Sequence, residues 1–254
     1  MKTIILAGKG QSTTFLYNAL KDDFDIEKVV IEEKVDIKKF IKGRIKRLGY
    51  FSVFNQLLFQ STIPKILSYF SKKRVAELKM KYNLSSVPIP EHKIMNVPSV
   101  NSKESINFLK DIDPTVVIVN GTRIISTKVL KCTKAKFINT HVGITPFYRG
   151  VHGAYWALVA QDIENCGVTI HEVDQGIDTG LILKQARITI SKNDNFTTYP
   201  YHQYGVSIAP MKTVLNEIKN NTLVYQKKSF ESGKLYYHPT FTGYLYHRIF
   251  KGVK

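Results

Sequence analysis

Four short apolar runs, at residues 3–7, 28–31, 115–119 and 136–139, are separated by stretches long enough to hold helices. Parallel strands cannot be joined by a tight turn; they need crossovers of about a dozen residues or more. The alternation therefore predicts an α/β fold, a mostly parallel, Rossmann-like sheet with flanking helices. The first run stops at Gly8-Lys-Gly-Gln-Ser-Thr, and residues 14–20 then read as a helix. Backbone N–H groups at such a turn can receive a phosphate, which makes Gly8, Lys9 and Gly10 candidate substrate contacts. A strand-to-helix turn with no ligand accounts for the same glycines. A dinucleotide fingerprint would need glycine where Thr13 stands, and an acidic ribose clamp that nothing marks.

Residues 38–82 need their own explanation, because they carry twelve Lys or Arg and a single acid, Glu77. Aromatic and aliphatic residues recur there at helical spacing, and Gly49 and Pro64 predict breaks, giving two or three amphipathic helices. One reading is a surface that docks on an acidic membrane or on RNA. The other is an inserted cap whose apolar face packs on the sheet or on a second subunit while its lysines stay solvated. The formal charge of +17 concentrates anionic partners in either case.

A chain of 254 residues can bury a full core. The expected layout is a catalytic domain over residues 1–195, interrupted by the basic helical insertion, and a small β-containing extension over 196–254. That extension holds a helix at 205–219 and a hairpin between residues 224 and 238, after a partly alternating strand at 181–190. With 43% hydrophobic and 22% charged residues, disordered and fibrous classes are excluded. Cys132 and Cys166 offer neither a disulfide framework nor metal spacing, and the apolar start is too short for a secretory segment. A cytoplasmic enzyme is the expectation.

The chemistry concentrates in residues 137–180, FINTHVGITPFYRGVHGAYWALVAQDIENCGVTIHEVDQGIDTG. Asn139 and His141 are two apart, so on one extended stretch their side chains leave the same face. An amide N–H and an imidazolium N–H placed that way can stabilise a developing negative oxygen on a carbonyl. Asp178, between glycines, can hold the imidazole charged or relay a proton. Taken singly, each residue also fits a plain structural role: a strand-end Asn or His satisfying backbone groups, an Asp forming a turn.

Together these residues resemble the formyltransferase family that uses 10-formyltetrahydrofolate. The resemblance runs in order: Asn139-Thr-His141, the loop Thr145-Pro-Phe-Tyr-Arg-Gly150, a helix over 152–160, Gly167-Val-Thr-Ile and Asp178-Thr-Gly180. It implies that Asn139, His141 and Asp178 are catalytic. It also implies a folate pocket bounded by Arg123 and Ile125 on one side and by Val173, Asp174, Gln175 and Ile177 on the other. A surface salt bridge at Arg123 and core packing at Ile125 remain open alternatives. No metal and no covalent enzyme intermediate is required.

Three amine substrates occur in the family. Methionyl-tRNA formyltransferases usually carry a C-terminal barrel, and about sixty residues follow position 190 here. Glycinamide ribonucleotide formyltransferases are usually shorter and lack a basic helical insertion. The layout is closest to the nucleotide-sugar N-formyltransferases, which implies a nucleoside-diphosphate amino sugar, a role in surface polysaccharide (lipopolysaccharide) synthesis, and the option of a homodimer. Tyr148, Arg149, Gly150, Tyr155, Trp156 and Tyr201 are then substrate-side candidates, with core or loop packing the alternative for the aromatics. A reading of another class, an RNA- or membrane-binding module on a Rossmann-like scaffold, uses the same basic segment; nucleic acid is not the expected partner, and peripheral membrane contact stays open.

Overall fold

The computed structural model describes residues 1–35, 37–226 and 233–254. β1 (Thr3–Gly8) is apolar on both faces: Ile5 and Ala7 enter one core, Ile4 and Leu6 the other. Such a strand must be covered by helices on both sides. β2 (Ile26–Glu32) and β4 (Val116–Asn120) flank it in parallel, with β3 (Ile94–Val97) beyond β2 and β5 (Lys136–His141) beyond β4. β7 (Gly167–Glu172) and β8 (Ile182–Arg187) complete the edge in antiparallel sense, giving the order β3-β2-β1-β4-β5-β7-β8. A separate parallel pair joins β6 (Arg149–Gly150) to β9 (Leu235–Tyr236).

α1 (Gln11–Leu20) and α8 (Tyr199–Lys219) cover one face, where Leu20, Met211 and Leu215 meet Ile5 and Ile118. α5 (Lys103–Ile112) and α6 (Thr127–Leu130) cover the other, where Leu109 and Val129 meet Ile4 and Val117. The chain leaves β1 toward β2 and returns on its other side as β4. Their carboxyl ends therefore frame a crevice at the switch point, where open α/β sheets bind ligands. The boundary expected at residue 195 falls between β8 and α8, and α8 shares the core of the sheet.

The basic insertion is three helices, α2 (Ile37–Leu48), α3 (Tyr50–Phe70) and α4 (Lys72–Lys81). Gly49, at φ 79°, separates the first two. Pro64 was expected to break the segment but lies inside α3, and the break falls at Ser71. A proline removes one backbone donor and disturbs the turn before it. Here Phe59, Ile63 and Leu67 all join one aromatic core with Tyr155, Phe196 and Tyr244, so packing carries the helix past the defect.

The insertion rests on the C-terminal helices: α3 lies along α9 (Phe241–Phe250), and α4 against α8. Asp194, wholly buried, ties it down. Its carboxylate accepts Arg74 Nε and Nη2 at 2.9 and 3.1 Å and the Ser191 N–H at 2.8 Å, and stands 3.1 Å from His202 Nε2. Tyr82 Oη stands 3.0 Å from His202 Nδ1, and a Cβ on Gly205 would come within 2.1 Å of the Tyr82 ring. The helix tolerates a glycine there because nothing larger admits that ring.

The hairpin expected between residues 224 and 238 falls on a stretch that is described only in part. Residues 227–232 lie outside the described residues. Gln226 donates its N–H to the Ile182 carbonyl at 2.9 Å, and β9 pairs with β6. Side-chain packing decides this: Tyr236 stacks against both Tyr148 and Trp156, with centroids 5.4 and 5.3 Å apart. Among the described residues no helix is long and apolar enough to cross a membrane.

Burial alone would raise the Asp194 pKa; the Arg74, Ser191 and His202 contacts outweigh it and hold the carboxyl well below the usual range. Asp194→Asn is expected to lower stability by about 3 kcal/mol at neutral pH, the scale for breaking a buried pair. The depressed native pKa makes this contribution present above the unfolded value and lost as pH falls. The gap between variant and parent in denaturant unfolding should therefore narrow below about pH 4.

Candidate active site

β5 ends in polar residues where a buried strand meets the open edge of the sheet. The antiparallel register with β7 sets Asn139 opposite His171 and His141 opposite Thr169. Facing residues of such a pair lie close enough for side chains to touch. Asn139 Nδ2 donates to His171 Nε2 at 3.1 Å, while His171 Nδ1 donates to the Glu172 carbonyl at 2.7 Å. An amide nitrogen carries two N–H groups, so Asn139 keeps one beyond the bond to His171.

Asp178 enters from the β7–β8 connection at φ 52°, a left-handed conformation that aspartate tolerates better than most residues. Its Oδ2 accepts the Gly150 N–H at 2.9 Å and stands 3.3 Å from His141 Nδ1; Oδ1 stands 3.7 Å from His171 Nε2. Asn139, His141 and Asp178 are thus brought together, with His171 as a fourth member. Burial pushes the Asp178 pKa up, but the two histidines and the Gly150 N–H outweigh it, and the net shift is downward. The group is a carboxylate at neutral pH.

His141 is buried, and its Nε2 donates to the Tyr148 carbonyl at 2.7 Å. Gly143 permits this approach, since a Cβ there would lie 2.4 Å from that carbonyl and 2.7 Å from Nε2. Desolvation lowers the His141 pKa; Asp178 and the Tyr148 carbonyl oppose it, and the net shift is downward. Both ring nitrogens therefore face protein groups, one a carbonyl and one a carboxylate. Protonation at Nδ1 would complete a charged pair with Asp178.

The turn after β1 and the end of β4 frame a crevice of about 420 Å³ lined by Gly8, Lys9, Gly10, Ser12, Asn120 and Arg123, among others. It adjoins the cluster of Asn139, His141 and Asp178: Val119 pairs with Asn139, and Asn120 is the next residue along β4. Thr13, the residue that spoils the dinucleotide pattern, donates its hydroxyl to the Gly8 carbonyl at 2.8 Å and receives Asn120 Nδ2 at 3.1 Å. Gly10 gives α1 no side-chain cap, so the first-turn donors are left to other partners.

The remaining sequence candidates sit as follows. Arg123 is spent on the end of β2: its backbone N–H and Nε both meet the Glu32 carboxylate at 2.6 Å, and Nη2 donates to the Glu33 carbonyl at 2.8 Å. Ile125 is buried in the core beneath α6, with Val173 packed against the same cluster. Asp174 accepts the Gly176 N–H and the Thr179 hydroxyl, Gln175 is exposed, and the Ile177 carbonyl accepts Arg149 Nε at 2.9 Å. Tyr148 is buried, bonding Asp162 through its hydroxyl, and Tyr155 is fully buried, with its hydroxyl 2.8 Å from His247 Nδ1. Trp156 is half-buried and donates to the Tyr237 carbonyl at 3.0 Å; Tyr201 bonds Gln11 at 3.1 Å. Gly150 is held between Asp178 and β9.

His171 was not among the sequence candidates. Its signal was present: Thr169 and His171 alternate with Val168 and Ile170 along β7, which places two polar groups on one face. Among the described residues no group of three or more His, Cys, Asp or Glu side chains is placed to hold a metal ion.

Asp178 raises the His141 pKa, so Asp178→Asn is expected to lower it further below the ordinary histidine value. Titration of the imidazole ¹⁵N shifts reads this directly; an unchanged or raised value would dissolve the pair.

The chain matches the family model described as formyl transferase over residues 56–203. It is 28% identical over 141 residues to the methionyl-tRNA formyltransferase of Caldanaerobacter subterraneus subsp. tengcongensis, covering 55% of this chain and 45% of that protein. It is 29% identical over 118 residues to the GDP-perosamine N-formyltransferase of Brucella melitensis biotype 1, covering 46% of this chain and 45% of that protein. The chain thus spans less than half the length of these relatives. In fold it is similar to the N-formyltransferase from Helicobacter canadensis solved with folinic acid and dTDP-3-aminofucose. The TM-score is 0.53 at 21% identity, over 93% of this chain and 71% of that one. The family match takes in β5, the loop to α7 (Gly153–Val159) and the Asp178 turn, and covers more than half of the chain: this protein belongs to the formyl transferase family.

Proposed function

We propose that this chain transfers the formyl group of 10-formyltetrahydrofolate to the amine of a nucleotide-linked amino sugar, in the cytoplasm, for surface polysaccharide synthesis. The observation that carries the reading is the convergence of Asn139, His171 and the His141–Asp178 pair at the end of β5 beside the crevice. The neutral amine attacks the formyl carbon, forming a C–N bond and a tetrahedral oxyanion. The spare N–H of Asn139 stabilises that oxygen, and protonation of His141 against Asp178 adds positive charge nearby. Collapse breaks the bond to folate N10, with the amine proton relayed through the His141–Asp178 pair to the departing nitrogen. His171 holds the Asn139 amide in place.

The sugar substrate draws support from the GDP-perosamine relative and from the neighbour solved with dTDP-3-aminofucose. Lys9 and the uncapped first turn of α1 suit a diphosphate in the crevice. A second reading, methionyl-tRNA, is favoured by the relatives of that name and by the formal charge of +17.

Purified chain is to be assayed for tetrahydrofolate release with a panel of nucleotide-linked amino sugars, glycinamide ribonucleotide and methionyl-tRNA. Turnover of a nucleotide-linked sugar is expected; turnover of methionyl-tRNA or glycinamide ribonucleotide alone would overturn the substrate assignment. Asn139→Ala is expected to lose about a hundredfold or more in kcat with KM little changed, the scale of a lost oxyanion donor. Near-normal turnover in a folded variant would remove Asn139 from the reaction.

A further inference from the structure

The packing of the insertion uses only part of its apolar surface. On α3, Phe51, Phe54 and Leu58 recur at spacings of three and four residues and remain exposed, Phe51 at 88%. Farther along the helix Ile66, Tyr69 and Phe70 are also exposed, Phe70 at 78%. α9 runs beside it, joined where Asn55 and Thr242 exchange hydrogen bonds of 3.2 and 3.1 Å. Tyr246, Ile249 and Phe250 follow Thr242 at four, seven and eight positions, so they share its face of α9, and all three are exposed. Two adjacent helices therefore present large apolar side chains that no described residue covers. Scattered exposed apolar residues need no explanation, but a row of them on neighbouring helices marks a binding surface.

The charge on these helices and on the neighbouring α2 and α4 selects the partner. Lys42, Lys46 and Arg47 on α2, Lys65 on α3, Lys72 and Lys73 at the start of α4, and Arg248 on α9 are all exposed. Lys72 Nζ lies 5.0 Å from the centroid of Tyr69, so charge and ring sit together. The one acid of the insertion, Glu77, is paired with Arg74 at 3.1 Å. A second copy of the chain would set this basic rim against a rim of the same sign. Single-stranded nucleic acid would use the aromatic rings but has no use for Leu58, Ile66 and Ile249, which offer no stacking face. A surface that takes aromatic and aliphatic side chains together, with lysine and arginine around them, is the boundary layer of an anionic bilayer.

We propose that the exposed face of α3 and α9 seats this enzyme peripherally on an anionic lipid surface. The aromatic and aliphatic residues enter the headgroup boundary while the lysines and arginines meet lipid phosphates. The proposal is independent of which amine is formylated, since none of these residues belongs to the catalytic cluster.

The test is co-sedimentation of the full chain with vesicles of phosphatidylcholine alone and of phosphatidylcholine containing about one third phosphatidylglycerol. Binding to the anionic vesicles is expected to exceed that to neutral ones by about tenfold or more and to weaken as salt rises. Phe51→Ser with Phe54→Ser and Phe250→Ser should reduce anionic-vesicle binding about tenfold, with circular dichroism and formyl transfer unchanged. Lys72→Gln with Lys73→Gln should weaken anionic binding alone, which separates charge from apolar insertion. Equal retention by both vesicle types, or none by either, overturns the proposal. So does a solution dimer that the Phe51 and Phe54 substitutions dissociate, or binding to oligouridylate in place of vesicles.

Discussion

The Asp178 carboxylate is the contact on which the architecture of the candidate site depends. A carboxylate shielded from water needs polar partners, and Asp178 has one N–H donor and two imidazole rings set around it from three separate segments. The Gly150 N–H comes from the loop after β5, the His141 imidazole from the end of β5, and His171 from β7. Satisfying one carboxylate therefore fixes the spacing of a strand end, its neighbour and a loop. His141 is in turn held through Nε2 by the Tyr148 carbonyl, so the loop that feeds Gly150 to Asp178 also orients the histidine.

That loop is supported from the far end of the chain. β9 pairs with β6, placing Leu235 and Tyr236 against Arg149 and Gly150, and Tyr236 stacks on Tyr148 and Trp156. The same C-terminal region supplies α9, on which α3 rests. A second buried carboxylate, Asp194, repeats the logic at larger scale by joining Arg74 of the insertion to Ser191 and His202. The insertion and the tail are therefore linked to the loop that carries Tyr148 and Gly150 through one aromatic core rather than appended to it.

Periodicity located β1, β2, β4 and β5 because each holds consecutive apolar residues that feed the cores on both faces of the sheet. β3 escaped notice: it is a four-residue edge strand with Asn96 exposed, too short and too mixed to leave a pattern. Pro64 misled because a local rule about backbone donors cannot register the aromatic core that holds the helix on both sides of it. His171 was readable from its alternation with Thr169 but had no motif to point at it. The fate of Arg123, committed to Glu32 and to backbone carbonyls, depends on residues about ninety positions away and leaves no trace in its own neighbourhood.

By itself the sequence determined the local and the repetitive: an α/β sheet, a basic helical insertion, and an Asn139-to-Asp178 spacing specific enough to identify the family. These depend on side-chain polarity at periods of two and 3.6 residues and on a short motif, all carried within a few turns of chain. Only the tertiary structure decided that Asn139 faces His171, that both nitrogens of His141 face protein groups, and that β9 pairs with β6. It also decided which side of α3 is buried and which is left open. Those outcomes turn on pairings between residues far apart in sequence, where the deciding energy is the satisfaction of a buried charge or the fit of one ring against another.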